Sequence, residues 1–280
     1  MNHQDLLDTV VLLTTDEFLE PDPDNASYDF RRSSLQLYKE LNNNEQNGGC
    51  GENTYLCLCE PFQNETVIRN KDTDNEEVWR CTGVMVANNL VLTASHCIGS
   101  LKERSHDLIA IAGVRDFTQP IAHANRREVK EIIYREYWGE VKDDGRDLVL
   151  LRLEPDLSGT RPSAEVSSRP LELGDGLFTI GFPRGLPLTF AGCAQVAKCH
   201  KFSAFSNLDA MWSNSGSPVF DLQGKLVGII AKTGSITRRV RRRHRAPCCQ
   251  FERRKDKKHF TVFSKITHLQ NIIDFYDRKK

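Results

Sequence analysis

Short apolar runs separated by turns dominate the chain from about residue 80 onward. They are four to nine residues long and rich in valine, isoleucine and leucine, which favours β-strands over helices. The predicted strands are 83–87, 90–93, 108–114, 128–134, 148–153, 177–181, 188–196, 218–222, 226–231 and 260–266. Polar residues in the stretch 154–175 interrupt the series. The pattern therefore predicts an all-β chain with two units, each a barrel or a sandwich.

The two ends of the chain differ from this β-rich part. Residues 266–275 have apolar side chains at helical spacing and are followed by Lys279 and Lys280, which predicts a C-terminal helix. Residues 1–75 are interrupted by clusters of Pro, Asn, Asp and Gly, and the helical pattern at 33–41 is too short to be stable alone. The sequence thus predicts an acidic, partly disordered, propeptide-like leader over 1–75 and a β-rich domain over 76–280.

Charge is balanced overall but unevenly distributed. The 280 residues include 38 basic and 38 acidic side chains. Acidic residues concentrate in the first 80, whereas an insertion at about 235–258, with Arg238 and Lys258 near its ends, is dominated by arginine and lysine. Such a loop attracts polyanions or acidic proteins, although a solvated loop or a self-cleavage site would have the same composition. No apolar run approaches the roughly 18 residues of a membrane span, so none is expected.

The cysteines predict disulfides. Nine cysteines favour an oxidising compartment such as the secretory route, although the N-terminal residues lack the basic start of a signal peptide. Cys81 and Cys97 are predicted to form a bridge that contributes about 3 kcal/mol. Cys193 and Cys199 are a second candidate pair. Two further close pairs of cysteines lack partners at zinc-ligand spacing, so neither a metal nor another cofactor is predicted.

Three short motifs carry candidate catalytic chemistry. Ser215 lies in a turn of small residues between predicted strands, where a hydroxyl can project beside free backbone N–H groups. His96 follows an apolar strand and precedes Cys97. Asp147 begins an apolar strand, so its carboxylate is expected to be buried and to need a partner such as an imidazole N–H. Each residue alone is better explained by a structural role, but together they predict a catalytic triad.

The segments around these residues, 81–97, 147–153 and 214–218, resemble the trypsin-like (chymotrypsin-fold) serine peptidases, whose triad has the same order along the chain. The Asn-Ser-Gly-Ser-Pro motif is more similar to the bacterial-type, glutamyl-endopeptidase-like branch. The resemblance covers roughly 79–275. It implies two packed antiparallel Greek-key β-barrels with a C-terminal helix, and a serine endopeptidase that acts on polypeptides. An inactive homologue that binds acidic partners or polyanions through the basic insertion is the alternative.

The same resemblance assigns a role to each site residue. Ser215 attacks the scissile carbonyl, His96 transfers the proton, and Asp147 orients His96. The backbone N–H groups of Ser213 and Ser215 form the oxyanion hole. Ser213 departs from the glycine usual in the family, and Ser95 departs from the alanine or glycine that usually precedes the histidine.

Substrate preference is also predicted from the resemblance. The residues assigned to the primary specificity pocket are Asp209, Ala231, Thr233 and Thr261. Asp209 falls at the base of that pocket and favours Arg or Lys before the cleaved bond. Thr233 and Thr261 fall near wall positions, where they would make the pocket shallow and favour small residues. Glutamate is least favoured, because Ile230 and Phe263 stand where a histidine is expected.

The two charge extremes predict a regulatory contact. In the family, the strands on either side of the basic insertion line the substrate pocket, so an acidic leader docked on the insertion would cover the cleft. We therefore expect residues 1 to about 70 to inhibit through many weak, salt-sensitive ion pairs, with a solubilising tail as the alternative. Activation by a new N-terminal amine is not expected, because Asn214 replaces the aspartate that pairs with that amine in zymogen-type relatives.

Overall fold

β-Strands make up most of the regular structure in the part of the chain that the structure describes. The computed structural model describes residues 3–24, 26–30, 35–37, 66–68, 81–98, 108–136, 146–154, 162–210, 214–233, 237–239, 251–253 and 261–278. Within them lie two α-helices, α1 (His3–Asp8) and α2 (Gln270–Asp277). The strands are β1 (Val10–Thr15), β2 (Leu19–Asp22), β3 (Ser27–Phe30), β4 (Leu35–Leu37), β5 (Thr66–Ile68), β6 (Cys81–Ala87), β7 (Leu90–Thr93), β8 (Leu108–Ala112), β9 (Ile121–Ala122), β10 (Arg126–Glu136), β11 (Leu148–Leu153), β12 (Gly176–Gly181), β13 (Thr189–Cys199), β14 (Ser203–Ser206), β15 (Pro218–Asp221), β16 (Leu226–Thr233), β17 (Thr237–Arg239), β18 (Phe251–Arg253) and β19 (Thr261–Lys265). Every strand predicted from the sequence overlaps one of these.

Twelve of the strands form two closed antiparallel barrels of six strands each. The first has the order β1-β6-β7-β11-β10-β8 and the second the order β12-β13-β14-β19-β16-β15. Counted in chain order within its own barrel, each reads 1-2-3-6-5-4, a Greek-key arrangement. The predicted C-terminal helix begins at Gln270, after a 3-10 turn over Thr267–Leu269. The predicted fold of two barrels and a C-terminal helix is therefore confirmed.

Three clusters of buried apolar side chains hold the barrels together. One fills the first barrel and includes Met85 and Val149. Another fills the second barrel and includes Leu177 and Phe263. The largest draws side chains from both barrels and from α2, which contributes Ile273. The apolar burial that stabilises each barrel is thus continued across the contact between them.

Strand β1 closes the first barrel and is buried on both faces. Val11 and Leu13 belong to the cluster inside that barrel, whereas Val10 and Leu12 belong to the cluster shared by the two barrels. The strand pairs with β6 on one side and with β8 on the other. Residues 10–15, which the sequence prediction placed in the leader, are therefore a strand of the first barrel. Burial of both faces explains why the run is continuously apolar.

Acidic side chains of the predicted leader pair with arginines of the first barrel. Asp16 accepts two hydrogen bonds from the Arg126 guanidinium, one of them from Nε at 2.8 Å. Asp8 pairs with Arg115, whose Nη1 also donates to the carbonyl oxygen of Leu7 at 3.2 Å. The carboxylates of these two acids are thus engaged by Arg115 and Arg126, whereas the basic insertion predicted to dock the leader lies largely outside the described residues. Acidic residues 72–77 lie outside the described residues.

The segment between β3 and β6 departs from the sequence prediction in a second way. Residues 35–37, within the predicted helical pattern at 33–41, form β4, which pairs with β5. β2 and β3 form a hairpin that is extended by β9. In β4, pairing with the distant strand β5 overrides the weak local helical preference of the 33–41 segment.

A disulfide joins Cys81, at the start of β6, to Cys97, in the turn after β7, with Cα atoms 6.1 Å apart. It is the bridge predicted from the sequence. Cys193 and Cys199 are both free, so the second predicted bridge is absent. Both lie on β13, where six extended residues separate their Cα atoms by about 20 Å, well beyond disulfide reach.

We predict that Leu12→Ala lowers the free energy of unfolding by about 3 kcal/mol, because Leu12 is fully buried and its truncation leaves a cavity. Denaturant unfolding measures the change. Glu20→Ala, at an exposed position of β2, is the control and should be within about 0.5 kcal/mol of wild type. Equal stabilities of the two variants would place β1 outside the cooperative folding unit.

We also predict that a non-reduced digest contains Cys81 and Cys97 in one linked peptide pair. Replacement of both by alanine should lower the free energy of unfolding by about 3 kcal/mol, because a loop of this size loses its constraint in the unfolded chain. Cys193→Ala removes an exposed free thiol and serves as control. Recovery of Cys81 and Cys97 as free thiols from native protein would contradict the bridge.

Candidate active site

His96 and Asp147 are hydrogen-bonded to each other. The Asp147 side chain is fully buried, whereas 45% of the His96 side chain is exposed. Asp147 Oδ2 lies 2.5 Å from His96 Nδ1, and Asp147 Oδ1 accepts a hydrogen bond from the His96 backbone N–H at 2.9 Å. A carboxylate only accepts, so His96 Nδ1 carries the proton and Nε2 is left as an acceptor. The exposed side of the ring can therefore act as a base.

Adjacent strands of the first barrel bring these two residues together. His96 lies in the 3-10 turn Ser95–Ile98 after β7, and Asp147 immediately precedes β11. The two strands are paired with Thr93 opposite Val149, so the end of β7 lies beside the start of β11. The buried Asp147 N–H donates to Ser264 Oγ of the second barrel at 3.1 Å. The carboxylate is thus placed by both barrels.

Ser215 lies in a tight turn before β15 that is hydrogen-bonded to β16. Gly216 N–H donates to the Ile230 carbonyl oxygen, and Ile230 N–H donates to the Ser217 carbonyl oxygen, both at 2.9 Å. Ser217 N–H closes the turn on the carbonyl oxygen of Asn214, also at 2.9 Å. Gly216 has a φ of +81°, which side chains rarely adopt. The backbone of this turn therefore favours glycine at position 216.

The Ser215 turn packs against the segment that leads to His96. Thr82 N–H donates to the Ser215 carbonyl oxygen at 2.9 Å. A Cβ on Gly216 would lie 2.0 Å from the Thr82 carbonyl oxygen and 2.1 Å from the Thr93 hydroxyl, so only glycine fits. Since Thr93 is three residues before His96, the two turns meet where the barrels touch.

Ser215 is partly exposed and forms no hydrogen bond with the His96 ring, although both residues are described. No group in the described ranges accepts a hydrogen bond from the Ser215 N–H. Ser213, the other predicted oxyanion donor, lies outside those ranges. In unliganded enzymes such hydrogen bonds are commonly long and tighten when substrate binds. Within the described residues, the Ser215 N–H therefore has no acceptor, and the Ser215 and His96 side chains are both at least partly exposed.

Asn214 is buried and held by neutral contacts. Its Oδ1 accepts a hydrogen bond from Ser217 Oγ at 3.3 Å. Both side chains pack against Gly181, where a Cβ would lie 2.1 Å from Ser217 Oγ and 2.8 Å from Asn214 Oδ1. The turn therefore has its shape without an ion pair at Asn214.

The residues predicted for the substrate pocket are brought together at one end of the second barrel. Thr233 of β16 is paired with Thr261 of β19. Thr261 is buried, and its hydroxyl donates to the carbonyl oxygen of Leu208 at 2.8 Å. Asp209 follows directly and is exposed. Ala231 is buried in β16.

The positions where a glutamate-binding histidine would be expected are filled by apolar side chains. Ile230 and Phe263 are paired across β16 and β19. Both are buried in the cluster inside the second barrel.

Sequence reasoning singled out Ser95 but missed its partner, Arg135. Arg135 Nε donates to Ser95 Oγ at 2.8 Å, and Nη2 donates to the Ser95 carbonyl oxygen at 3.3 Å. Ser95 is fully buried. Forty residues separate the two in the chain, so no local pattern could have indicated the contact.

Both neighbours of Arg135 in β10 belong to a second polar group. Tyr134 donates to Glu136 Oε1 at 2.6 Å, and the same oxygen lies 2.9 Å from His268 Nε2. Burial, reinforced by the hydrogen bond to Glu136, raises the pKa of Tyr134 to about 12. The tyrosine thus remains a proton donor, and Glu136 ties β10 to the C-terminal segment.

The predicted polyanion-binding insertion lies largely outside the described residues. Within it, the structure describes only the backbones of β17 and β18, which pair with each other. Among the described helices, none combines the length and the apolar composition that a membrane span needs.

Comparison with known proteins agrees with the fold. A family model described as a trypsin-like peptidase domain matches residues 81–229. Among solved structures, a Glu endopeptidase in complex with MPD matches with a TM-score of 0.50 and 17% identity, over 72% of this chain and 86% of that chain. Kallikrein-related peptidase 10 matches with a TM-score of 0.48 and 21% identity, over 71% of this chain and 90% of that chain. No curated protein matches. Because the family model spans more than half of the 280 residues, the chain belongs to the trypsin-like peptidase family.

Proposed function

We propose that the protein is a serine endopeptidase in which Ser215 is the nucleophile, His96 the general base and Asp147 the residue that orients His96. The observation that carries the proposal is the fully buried Asp147 carboxylate, hydrogen-bonded to a half-exposed His96 beside the Ser215 turn. A buried carboxylate that fixes the imidazole tautomer has a clear use when the other ring nitrogen must accept a proton.

The reaction follows from this placement. Ser215 Oγ attacks the carbonyl carbon of the scissile peptide bond while His96 Nε2 accepts the hydroxyl proton. The resulting oxyanion accepts hydrogen bonds from the Ser215 and Ser213 N–H groups, each contributing about 3 kcal/mol. The C–N bond then breaks, and the amine leaves with the proton from His96. Water attacks the acyl-enzyme by the same route and releases the acid.

The proposed substrate preference is for Arg or Lys before the scissile bond. Asp209 is exposed at the end of the second barrel where Thr233 and Thr261 are paired. Its carboxylate would pair with an Arg or Lys side chain that precedes the scissile bond. The buried Thr261 hydroxyl donates to the carbonyl oxygen of Leu208, which holds the segment that carries Asp209 against β19.

The proposed location of the protein is secreted or another oxidising compartment. The Cys81–Cys97 disulfide next to His96 supports this, because structural disulfides persist in such compartments.

A second candidate function is an inactive homologue that uses the fold for binding. The observation that favours it is the missing hydrogen bond between the Ser215 hydroxyl and the His96 ring.

We predict that a fluorophosphonate probe labels the folded protein and that Ser215→Ala abolishes the labelling, because the probe needs an activated serine. Ser168→Ala, at an exposed serine, is the matched control and should label like wild type. Labelling that survives in Ser215→Ala would exclude Ser215 as the nucleophile. No labelling of folded wild-type protein would favour the inactive homologue.

We further predict that a peptide library is cleaved preferentially after Arg and Lys. Asp209→Asn should lower that preference by about tenfold or more in kcat/KM, equivalent to about 1.4 kcal/mol, because the pairing charge is lost. Asp24→Asn, at an exposed acid of the β2–β3 hairpin, is the control. Preference for small residues in the wild type, unchanged by Asp209→Asn, would assign the specificity to Thr233 and Thr261 instead.

A further inference from the structure

The contact between Arg135 and Ser95 has no role in the reaction described above. We propose that Arg135 is a positioning residue that holds His96 in place through Ser95. This inference rests on the proposed function, since it assigns a task within the same site. Arg135 acts on His96 indirectly, through its two hydrogen bonds to Ser95, the residue before His96.

The guanidinium holds Ser95 at two points. Its Nε–H reaches the hydroxyl oxygen at 2.8 Å and its Nη2 reaches the carbonyl oxygen at 3.3 Å. The planar, rigid fork of an arginine fixes direction as well as distance, which a lysine ammonium does not. Ser95 is fully buried, so its hydroxyl would otherwise lack the water that satisfies an exposed one.

Both partners of the His96–Asp147 hydrogen bond are placed by the same two strands. Arg135 lies on β10 and is paired with Val149 of β11. Asp147 lies two residues before Val149. One strand therefore supplies the carboxylate, and its neighbour supplies the arginine that fixes the turn carrying His96. A shift of β10 relative to β11 would therefore change the distance between His96 Nδ1 and Asp147 Oδ2, which is 2.5 Å.

His96 is then held from two sides. On one side, the disulfide at Cys97 and the hydrogen bond from the His96 N–H to Asp147 fix the turn. On the other side, Arg135 fixes Ser95. An alanine at position 95 would keep the carbonyl acceptor but lose the hydroxyl, so it would remove one of the two hydrogen bonds from Arg135. The contribution of the pair is therefore measured with both single variants and the double variant.

The kinetic test uses the full chain and a peptide substrate. Arg135→Ala should lower kcat about tenfold with KM unchanged, because misplacement of the base affects the transition state and not substrate binding. Ser95→Ala should lower kcat by less, and the double variant should be no slower than Arg135→Ala alone. Arg135→Lys should restore only part of the loss. Arg152→Ala, which removes an arginine of the neighbouring strand that pairs with Glu131, is the control.

A kcat of Arg135→Ala equal to that of the control, or losses that add in the double variant, would overturn the proposal. Ser95→Ala changes one buried atom, so it keeps the test decisive if Arg135→Ala does not fold.

A second measurement separates this inference from the peptidase proposal. The His96 Nδ1 proton that bonds Asp147 can be followed by proton NMR and assigned with His96→Gln. We expect its resonance to exchange faster with water in Arg135→Ala and to be unchanged in Arg152→Ala. Equal exchange rates of this proton in Arg135→Ala and in the wild type would exclude positioning, even if the protein is an active enzyme. Faster exchange in Arg135→Ala, together with a wild-type protein that is neither labelled nor active, would support positioning and exclude the peptidase.

Discussion

The buried carboxylate of Asp147 is the constraint on which the site depends. An ionised carboxylate removed from water is strongly destabilising unless it is paired and hydrogen-bonded. Asp147 meets this condition with the backbone and the ring of His96. The same contacts that make its burial tolerable also fix the tautomer and direction of the imidazole. The burial of Asp147 and the placement of the His96 ring therefore depend on the same contacts.

The two barrels share the task of placing the remaining groups. The Ser215 turn is hydrogen-bonded to β16 of its own barrel and, through Thr82, to β6 of the other. Gly216 packs so closely on Thr82 and Thr93 that a Cβ would not fit between them. The site is thus built on the contact between the two barrels, which brings together residues that are distant in sequence.

The sequence predicted whatever depended on local pattern and missed what depended on distant pairing. Alternation and length identified ten strands, and three short motifs identified His96, Asp147 and Ser215 as candidates. β1 was missed because its partner β6 lies about seventy residues further on, with Val10 opposite Val84, and acidic and turn-forming residues surround it. The contact of Arg135 with Ser95 was missed for the same reason. Neither leaves a periodic signal along the chain.

Acidic side chains of the N-terminal segment form ion pairs with arginines at or near the first barrel. Asp8 and Asp16 are engaged by Arg115 and Arg126, so the acidity noted in the sequence helps to seat β1 and its neighbours on the first barrel. Asn214, in turn, is held by Ser217 and shaped by Gly181 without a charged partner. The shape of this turn is thus held by neutral hydrogen bonds and close packing. The structure thus links the N-terminal segment to the first barrel through β1 and these two ion pairs, whereas the Ser215 turn is held by contacts of its own.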